Sequence, residues 1–540
     1  MMKVGMVIMT KIKANELVSK RIDTLLSMPS LPSSIPTSEE REELYSILHQ
    51  QLDVKATSKD ELETRLHICG EICRQLSKTM TARGVKILPV SEMDAAKIIL
   101  GLMHPKRVGE VFDDYTPLMI YDLTEGTYAE RNVELDRLIN IIEPTMKKNG
   151  REETRARIIQ NCGFASPTKN ENFAVLGNGI FNVKTQELIP FSPEYVFLSK
   201  ASVNWNPDAK CPVFPDGWTF DGFLNEQFDG DADSKLAVYQ LLQLALLTNK
   251  PKNVFVYFYS SLGRTGKGTL TELIRQLVGP ENSGSANIEQ LEQPFGLESV
   301  YNKSFIYGNE NDNVFAKSSM NIKNLSTGDS ITVNRKSIVN ITVCATPLIV
   351  QSMNSTPVFK GLDGGVKNRM RILEFKHSYY EDDNEDVKSK YIKNKEFLEF
   401  LAHKVLTMPV EPMIDPQSSR DIKASIEMES NSVFEWFADM MSEFKGSEFP
   451  TSVLFDTFRA WLKAQNKKDN MSRLTFSKRL VLVTRGRFEF CSKNMLPNMD
   501  SQDIADITKM LKDAQLLLPS ETLDDKYQFT SKRQSGFRKL

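Results

Sequence analysis

Residues 253–279 read NVFVYFYSSLGRTGKGTLTELIRQLVG. The first eight are aromatic and β-branched, the composition of a buried strand. The nine that follow, SLGRTGKGT (261–269), are glycine-rich and carry one lysine. Beyond them Leu270, Leu273, Ile274, Leu277 and Val278 fall at helical spacing, and Gly279 ends the run. Strand, glycine-rich loop, lysine, helix is the context in which a phosphate-binding loop works. Glycines let the backbone curl until several N–H groups face one anion, and the helix adds its positive end. Gly263, Arg264, Thr265, Gly266, Lys267, Gly268 and Thr269 are therefore the expected ATP cradle, with Lys267 reaching the β- and γ-phosphates. The usual spelling, GxxxxGK[ST], wants glycine at 261 and a hydroxyl residue at 268; this chain has Ser261 and Gly268. Thr269, one step later, is the expected Mg2+ ligand. The alternative is a glycine-rich turn before an amphipathic helix, with no ligand.

The next 100 or so residues narrow the reading. KSFIYGNEND (303–312) is expected to be a second apolar strand ending in acids. A strand end beside the loop is where a metal-orienting or water-activating carboxylate belongs. Glu310 is the first choice, also as a metal-linked group, and Asp312 the second. IVNITVCATP (338–347) is expected to be a third strand, ending at Thr346-Pro347. In GLDGGVKNRMRILEF (361–375), Arg369 stands six residues before Phe375.

The order of these pieces, with Lys323, Gly328, Asp329 and Lys336 in IKNLSTGDSITVNRKS (322–337), resembles superfamily 3 helicases of the poxvirus-type, phage and plasmid primase-helicase family. The resemblance covers roughly 110–378; ahead of the loop, Asn178-Gly179, TQEL, FSPEY and NPDAKCPVFPDGW look like the domain preceding the ATPase in that family. It implies an α/β P-loop ATPase core of AAA+-like type, a homo-hexameric ring, and ATP with Mg2+ at subunit interfaces. It makes Arg369 a charge-stabilising arginine acting in a neighbouring subunit, with Arg371 as the fallback. It makes Lys323, Arg335 and Lys336 DNA contacts, the latter two on a β-hairpin in the ring channel. The family's third strand ends in a polar sensor, usually Asn. Here Thr346 takes that place and Pro347 follows where Asn is expected, which weighs against efficient hydrolysis.

Composition adds limits. With 540 residues, 40% hydrophobic and 26% charged, the chain has room for three or four domains at roughly 150 residues each. A net charge of −2 confines any DNA contact to local basic residues. Six scattered cysteines without a CxxC pair make neither a disulfide framework nor a zinc ribbon, and suit a reducing host-cell cytoplasm. Cys69 and Cys73, near His67, read either as half a metal site or as two small apolar residues on one helix face. The N-terminal apolar run, Val4 to Met9, is shorter than the ~7–15 residues of a signal core. No run approaches the ~18 residues of a membrane span, so no membrane partner is expected.

The expected organisation is a mainly helical region over 1–110, a mixed α+β pre-ATPase domain over 111–248, and the ATPase over 249–378. A helical linker or lid follows over 379–429, then a winged helix over 430–500 and a basic tail over 501–540. In the winged helix Lys478, Arg479, Arg485 and Arg487 are the expected phosphate contacts; a helical cap with solvated basic residues is the alternative. Without a zinc pattern or paired acids ahead of the core, a separate primase and a host polymerase are the expected partners.

Three functional readings stand. The first is an ATP-dependent helicase that replicates a phage, plasmid or other mobile element by translocating on single-stranded DNA. The second is an ATP-switched initiator or loader that binds origin duplex without unwinding it. The third, resting only on the Lys-Gly-Thr ending shared with adenylate kinases, is a nucleotide kinase.

Overall fold

A computed structural model describes residues 35–109, 115–308, 320–336, 340–354, 364–380, 384–429, 432–441, 446–467, 471–484, 488–495, 501–517, 521–527 and 534–539. Two compact units emerge, one of residues up to 168 with 191–198, the other of 169–190 with 199 onward.

The first unit packs helices Ser38–Leu52, Lys59–Leu76, Glu92–Leu102, Asn132–Ile142 and Lys148–Asn161 with a four-stranded sheet. Thr37 and Glu40 form the capping box written in the sequence: the Thr37 hydroxyl accepts from the Glu40 N–H, and the Glu40 carboxylate accepts from the Thr37 N–H. Leu66, Cys69, Ile99, Leu102, Ile139 and Ile142 share one core. Burial pushes the Cys69 thiol up to about 12 and that of Cys73 to about 11, the behaviour of packed thiols. The boundary expected at residue 110 falls inside this unit, because Pro105–Val108 pairs with Leu118–Tyr121 across it. Hydrogen bonding between those strands outweighs the change in sequence texture.

In the second unit a five-stranded parallel sheet carries the phosphate-binding loop. Its strands are β1 (Phe255–Tyr259), β2 (Ser283–Ser285), β3 (Phe305–Gly308), β4 (Leu348–Met353) and β5 (Met370–Glu374), in the order β2-β3-β4-β1-β5. β1 has a parallel neighbour on each side, and Phe255, Val256, Tyr257 and Phe258 are all buried. A central strand covered on both faces needs such a continuous apolar run. The helix Lys267–Val278 lays Leu270, Leu273, Ile274, Leu277 and Val278 into the same core.

The strand expected over 338–347 is placed differently. Ile341–Cys344 pairs antiparallel with Ser330–Val333 in a separate two-stranded hairpin. Both hairpin strands alternate buried with more exposed residues, whereas β4 is buried throughout. Alternation marks a one-sided hairpin; continuous burial marks a central strand. Gly328, with φ +72°, ends the helix Met320–Thr327 ahead of the hairpin, and the Asp329 carboxylate accepts from Thr327 at 2.5 Å.

The break expected at 248 does not separate two cores. Ala174 and Phe181 of the three-stranded sheet 173–189, and Leu241 and Leu242 of helix Ala232–Leu246, pack in one cluster with Val256, Phe258 and Leu273.

Residues 501–540, expected as a tail, contribute helix Ser501–Asp513 and strand Gln534–Lys539. That strand lies between Glu448–Pro450 and Phe488–Met495 in an antiparallel sheet. Trp436, Phe449, Phe458, Phe476, Ile507, Met510 and Phe537 form the core of this part. The alternation of Phe537 with Arg538 is that of a half-buried strand, which a reading of charge alone misses.

Candidate nucleotide site

In a parallel sheet all strands end at one edge. β1, β3, β4 and β5 finish at Tyr259, Gly308, Met353 and Glu374, and the glycine-rich loop leaves β1 there. Ser260 is buried and fixes the exit. Its hydroxyl donates to the Phe375 carbonyl at 2.7 Å and accepts from the Leu262 N–H at 3.1 Å.

Gly266 adopts φ +75° and caps the helix that Lys267 begins. A Cβ there would stand 2.8 Å from the Phe223 ring, so conformation and space both require glycine. The loop carbonyls are taken up from outside. Gly263 accepts from the Ser378 hydroxyl at 2.9 Å and Arg264 from the Tyr379 N–H at 3.0 Å. The Gln227 amide, oriented to satisfy its neighbours, donates to the Thr265 carbonyl at 3.0 Å and the His377 carbonyl at 3.3 Å. Tyr379 in turn donates to Glu226 at 3.0 Å, and burial raises its phenol above the ordinary range. A loop whose carbonyls are turned outward offers N–H groups to an anion on its concave side.

Lys267 meets Asn354. Its ammonium donates to the Asn354 side-chain carbonyl at 3.0 Å and lies 3.4 Å from the Thr265 hydroxyl. Asn354 directly follows β4, so a polar residue stands where a sensor of bound phosphate belongs. The sequence reading misses it, because 338–347 reads there as the core strand. The signal present is the apolar run LIV at 348–350 followed, two residues beyond Ser352, by the polar Asn354.

Thr346 stands beyond the opposite end of β4, whose six residues alone span roughly 20 Å at about 3.3 Å per residue. There its hydroxyl donates to the Thr248 carbonyl at 2.8 Å. The expectation that Thr346 acts as the sensor is thereby corrected: it precedes the core strand instead of ending it, and Pro347 is no longer a defect in the site.

Gly263, Arg264, Thr265, Gly266, Lys267, Gly268 and Thr269 all lie in the loop and the first turn of its helix, as expected. Glu310 and Asp312 lie outside the described residues, two and four positions after β3 ends at this edge. Arg369 precedes β5 at the other edge and donates to the Gly365 carbonyl at 2.9 Å. It cannot touch a phosphate bound at the loop of its own chain. Arg371 is engaged with the backbone carbonyls of Met413, Ile414, Asn368 and Met370, and burial depresses its pKa, which leaves Arg369 the better placed of the two.

Arg335 and Lys336 follow the first hairpin strand, Ser330–Val333, within three residues of its end. The Arg335 N–H donates to the Asn340 side chain at 3.2 Å, and the Lys336 N–H to Glu298 at 3.1 Å. Lys323 lies on the helix before the hairpin. Lys478 and Arg479 are exposed on helix Arg473–Val483, while Arg485 and Arg487 lie outside the described residues. Among the described residues no three His, Cys, Asp or Glu side chains gather as a metal centre, and no helix is long and apolar enough to cross a membrane.

Three family profiles match successive parts of the chain. Residues 104–229 match "D5 N terminal like", 258–369 match a "family of unknown function (DUF5906)", and 428–509 match "Poxvirus D5 protein-like". Among solved structures, the apo NrS-1 C terminal region (305-718) is similar at 15% identity, with 84% of this chain and 100% of that chain covered and a TM-score of 0.45. An A form apo structure of the same region is similar at 14% identity, with the same coverage and a TM-score of 0.44. A parallel-sheet α/β protein with a phosphate-loop geometry at its strand ends is the class that fold and site define. Within that class, the chain is similar to D5-like proteins on both sides of its phosphate loop, over 104–229 and 428–509.

Proposed function

We propose that this chain is an ATP-dependent DNA helicase that replicates a phage, plasmid or other mobile element. The observation that carries the reading is the Lys267–Asn354 pair at the mouth of the glycine-rich loop. A cation and a polar sensor at one sheet edge serve a nucleotide whose terminal phosphate is cleaved there. The D5-like profile matches and the strand order β2-β3-β4-β1-β5 support an AAA+-like core.

The residues present fit ATP with magnesium. The outward-turned loop carbonyls and Lys267 suit the phosphates, and the Thr269 hydroxyl in the first helical turn would hold the metal. Glu310 would orient the attacking water from the end of β3. Magnesium supplies charge neutralisation between the β- and γ-phosphates when it is bound. Lys267 holds the phosphate chain at its ammonium, and Asn354 keeps that ammonium aimed.

Arg369, on the edge away from its own loop, suits a neighbour's site, as a homo-hexameric ring with interfacial ATP requires. Arg335 and Lys336 after the first hairpin strand, with Lys323 behind them, are the proposed contacts to single-stranded DNA. The C-terminal part, with Lys478 and Arg479 exposed on one helix and a strand beside it, suits a winged helix on duplex DNA. A polar sensor at Asn354 removes the objection to efficient hydrolysis that Pro347 raised.

The test is ATP hydrolysis with and without single-stranded DNA, beside Lys267→Ala and Glu310→Gln. DNA-stimulated turnover, lost in the first variant and slowed in the second while ATP still binds, is expected. Strand displacement on a forked duplex then follows. ATP binding without turnover in the unmodified protein would replace the helicase with the ATP-switched initiator.

A further inference from the structure

The loop departs from the usual spelling at position 268, where a hydroxyl residue is normal and this chain has glycine. Gly268 is the second residue of the helix that starts at Lys267, and it is exposed at the positive helix end. A Cβ built there would find one neighbour within 4 Å, the ammonium of Lys388 at 3.6 Å.

Lys388 comes from the short helix Glu385–Ser389, after the sheet. Both ends of its segment are anchored. Upstream, Ser378 and Tyr379 bond the loop carbonyls of Gly263 and Arg264. Asn384 caps the helix and bonds the Asp216 carboxylate. Downstream, Tyr391 is buried against Phe214 with ring centroids 4.2 Å apart. The lysine is thus delivered to the loop by fixed structure on either side of it.

Charge explains why this arrangement calls for a ligand. Lys388 is exposed, and its ammonium sits beside the positive end of a helix that already begins with Lys267, so charge of one sign gathers there. Its neighbour Lys390 is paired with Asp386 at 2.9 Å, whereas Lys388 has no hydrogen bond or ion pair among the described residues. A polyanion in the loop would attract both ammonium groups.

We infer that Lys388 is a second phosphate-binding lysine, and that glycine at 268 is the opening through which it reaches the nucleotide's phosphates. The inference rests on the reading of the loop as an ATP site and deepens it. Loop and post-sheet helix are then a matched pair: the chain omits the side chain at 268 and brings a cation from elsewhere. A serine at 268 would put its Cβ in ordinary contact with the ammonium and offer its hydroxyl as a competing acceptor. The hydroxyl function passes to Thr269.

The test is the affinity for MgATP and MgADP, by titration of the full chain, for the unmodified protein, Lys267→Ala, Lys388→Ala, Lys388→Arg, Gly268→Ser and the double variant Gly268→Ser/Lys388→Ala. Removing one charged hydrogen bond corresponds to about a tenfold weaker affinity. Lys388→Ala is expected to lose about that much for MgATP, and Lys388→Arg to keep most of it. Gly268→Ser is expected to weaken binding in the unmodified background but not further in Lys388→Ala, because the two act through one interaction. Unchanged melting temperatures without nucleotide separate a binding defect from a folding defect. Nucleotide bound by the unmodified protein and lost in Lys267→Ala, with Lys388→Ala at full affinity, overturns the role of Lys388 alone. Additive losses from Gly268→Ser and Lys388→Ala overturn the pairing. An unmodified protein that binds neither nucleotide overturns the ATP site and this inference together.

Discussion

Replacing Asn354 by Ala removes the side-chain carbonyl that accepts from the Lys267 ammonium at 3.0 Å. A hydrogen bond to a charged group contributes about 1.5–3 kcal/mol. Asn354 is solvent-exposed, so water competes and the low end applies, about 1.5 kcal/mol. If that energy is expressed in the transition state, where Lys267 must stay aimed at developing charge, kcat falls about tenfold. Thr346→Val is the paired control, because the two residues mark the two ends of β4. It removes the hydroxyl donated to the Thr248 carbonyl, so about 1 kcal/mol of stability should be lost and kcat kept. Steady-state ATPase measurements with saturating DNA, beside thermal melts, separate the two effects. Unchanged turnover in Asn354→Ala together with lost turnover in Thr346→Val would refute the placement of the sensor at the end of β4.

Three further outcomes are expected. Arg369→Ala alone should abolish DNA-stimulated turnover, yet mixing it with Lys267→Ala subunits should restore part of it, since each supplies what the other lacks across an interface; full turnover by pure Arg369→Ala would end the trans role. Neutralising Arg335 and Lys336 together should weaken single-stranded DNA binding and flatten the slope of log K against log salt by about 1.4, at ~0.7 for each phosphate no longer neutralised, measured by anisotropy between low and moderate salt. Lys252 is buried with its ammonium donating to the Leu247 and Lys250 carbonyls, and burial lowers its pKa from 10.5 to about 7. Between those values the unfolded chain holds the proton and the folded chain does not. Raising the pH from 7 toward 10.5 therefore favours folding through this group, by up to about 1.4 kcal/mol per pH unit. Lys252→Met should show a flatter rise in denaturation midpoint over the same window.

The glycine-rich loop was legible because its two flanks are local patterns. An apolar run reads as a buried strand, and Leu270, Leu273, Ile274, Leu277 and Val278 read as one helix face, without knowledge of anything distant. Asn354, the proposed sensor, is not legible in the same way. ITVC and LIVQSM are both short β-branched runs, and which of them enters the central sheet depends on pairing with β1 and β3, about 90 and 40 residues upstream. Gln351 disguised the right one: it is a polar residue in a strand buried throughout, satisfied by donating to the Ala286 carbonyl at 3.1 Å. Lys388 was missed for a different reason. Its meeting with Gly268 spans 120 positions, and a glycine that leaves room for a distant side chain looks in sequence like any other glycine.

The strand Gln534–Lys539 is the middle one of its sheet, although it follows both neighbours in the chain. Glu448–Pro450 and Phe488–Met495 therefore emerge during synthesis without the strand that joins them, and Phe449 pairs with Phe537 only after 87 intervening residues have been made. Two unpaired strand edges wait through that interval, each open to a wrong partner. A shortened chain ending before residue 534 keeps those edges permanently. Loss of DNA binding in such a truncation would report the missing keystone of a sheet, not the removal of a basic tail.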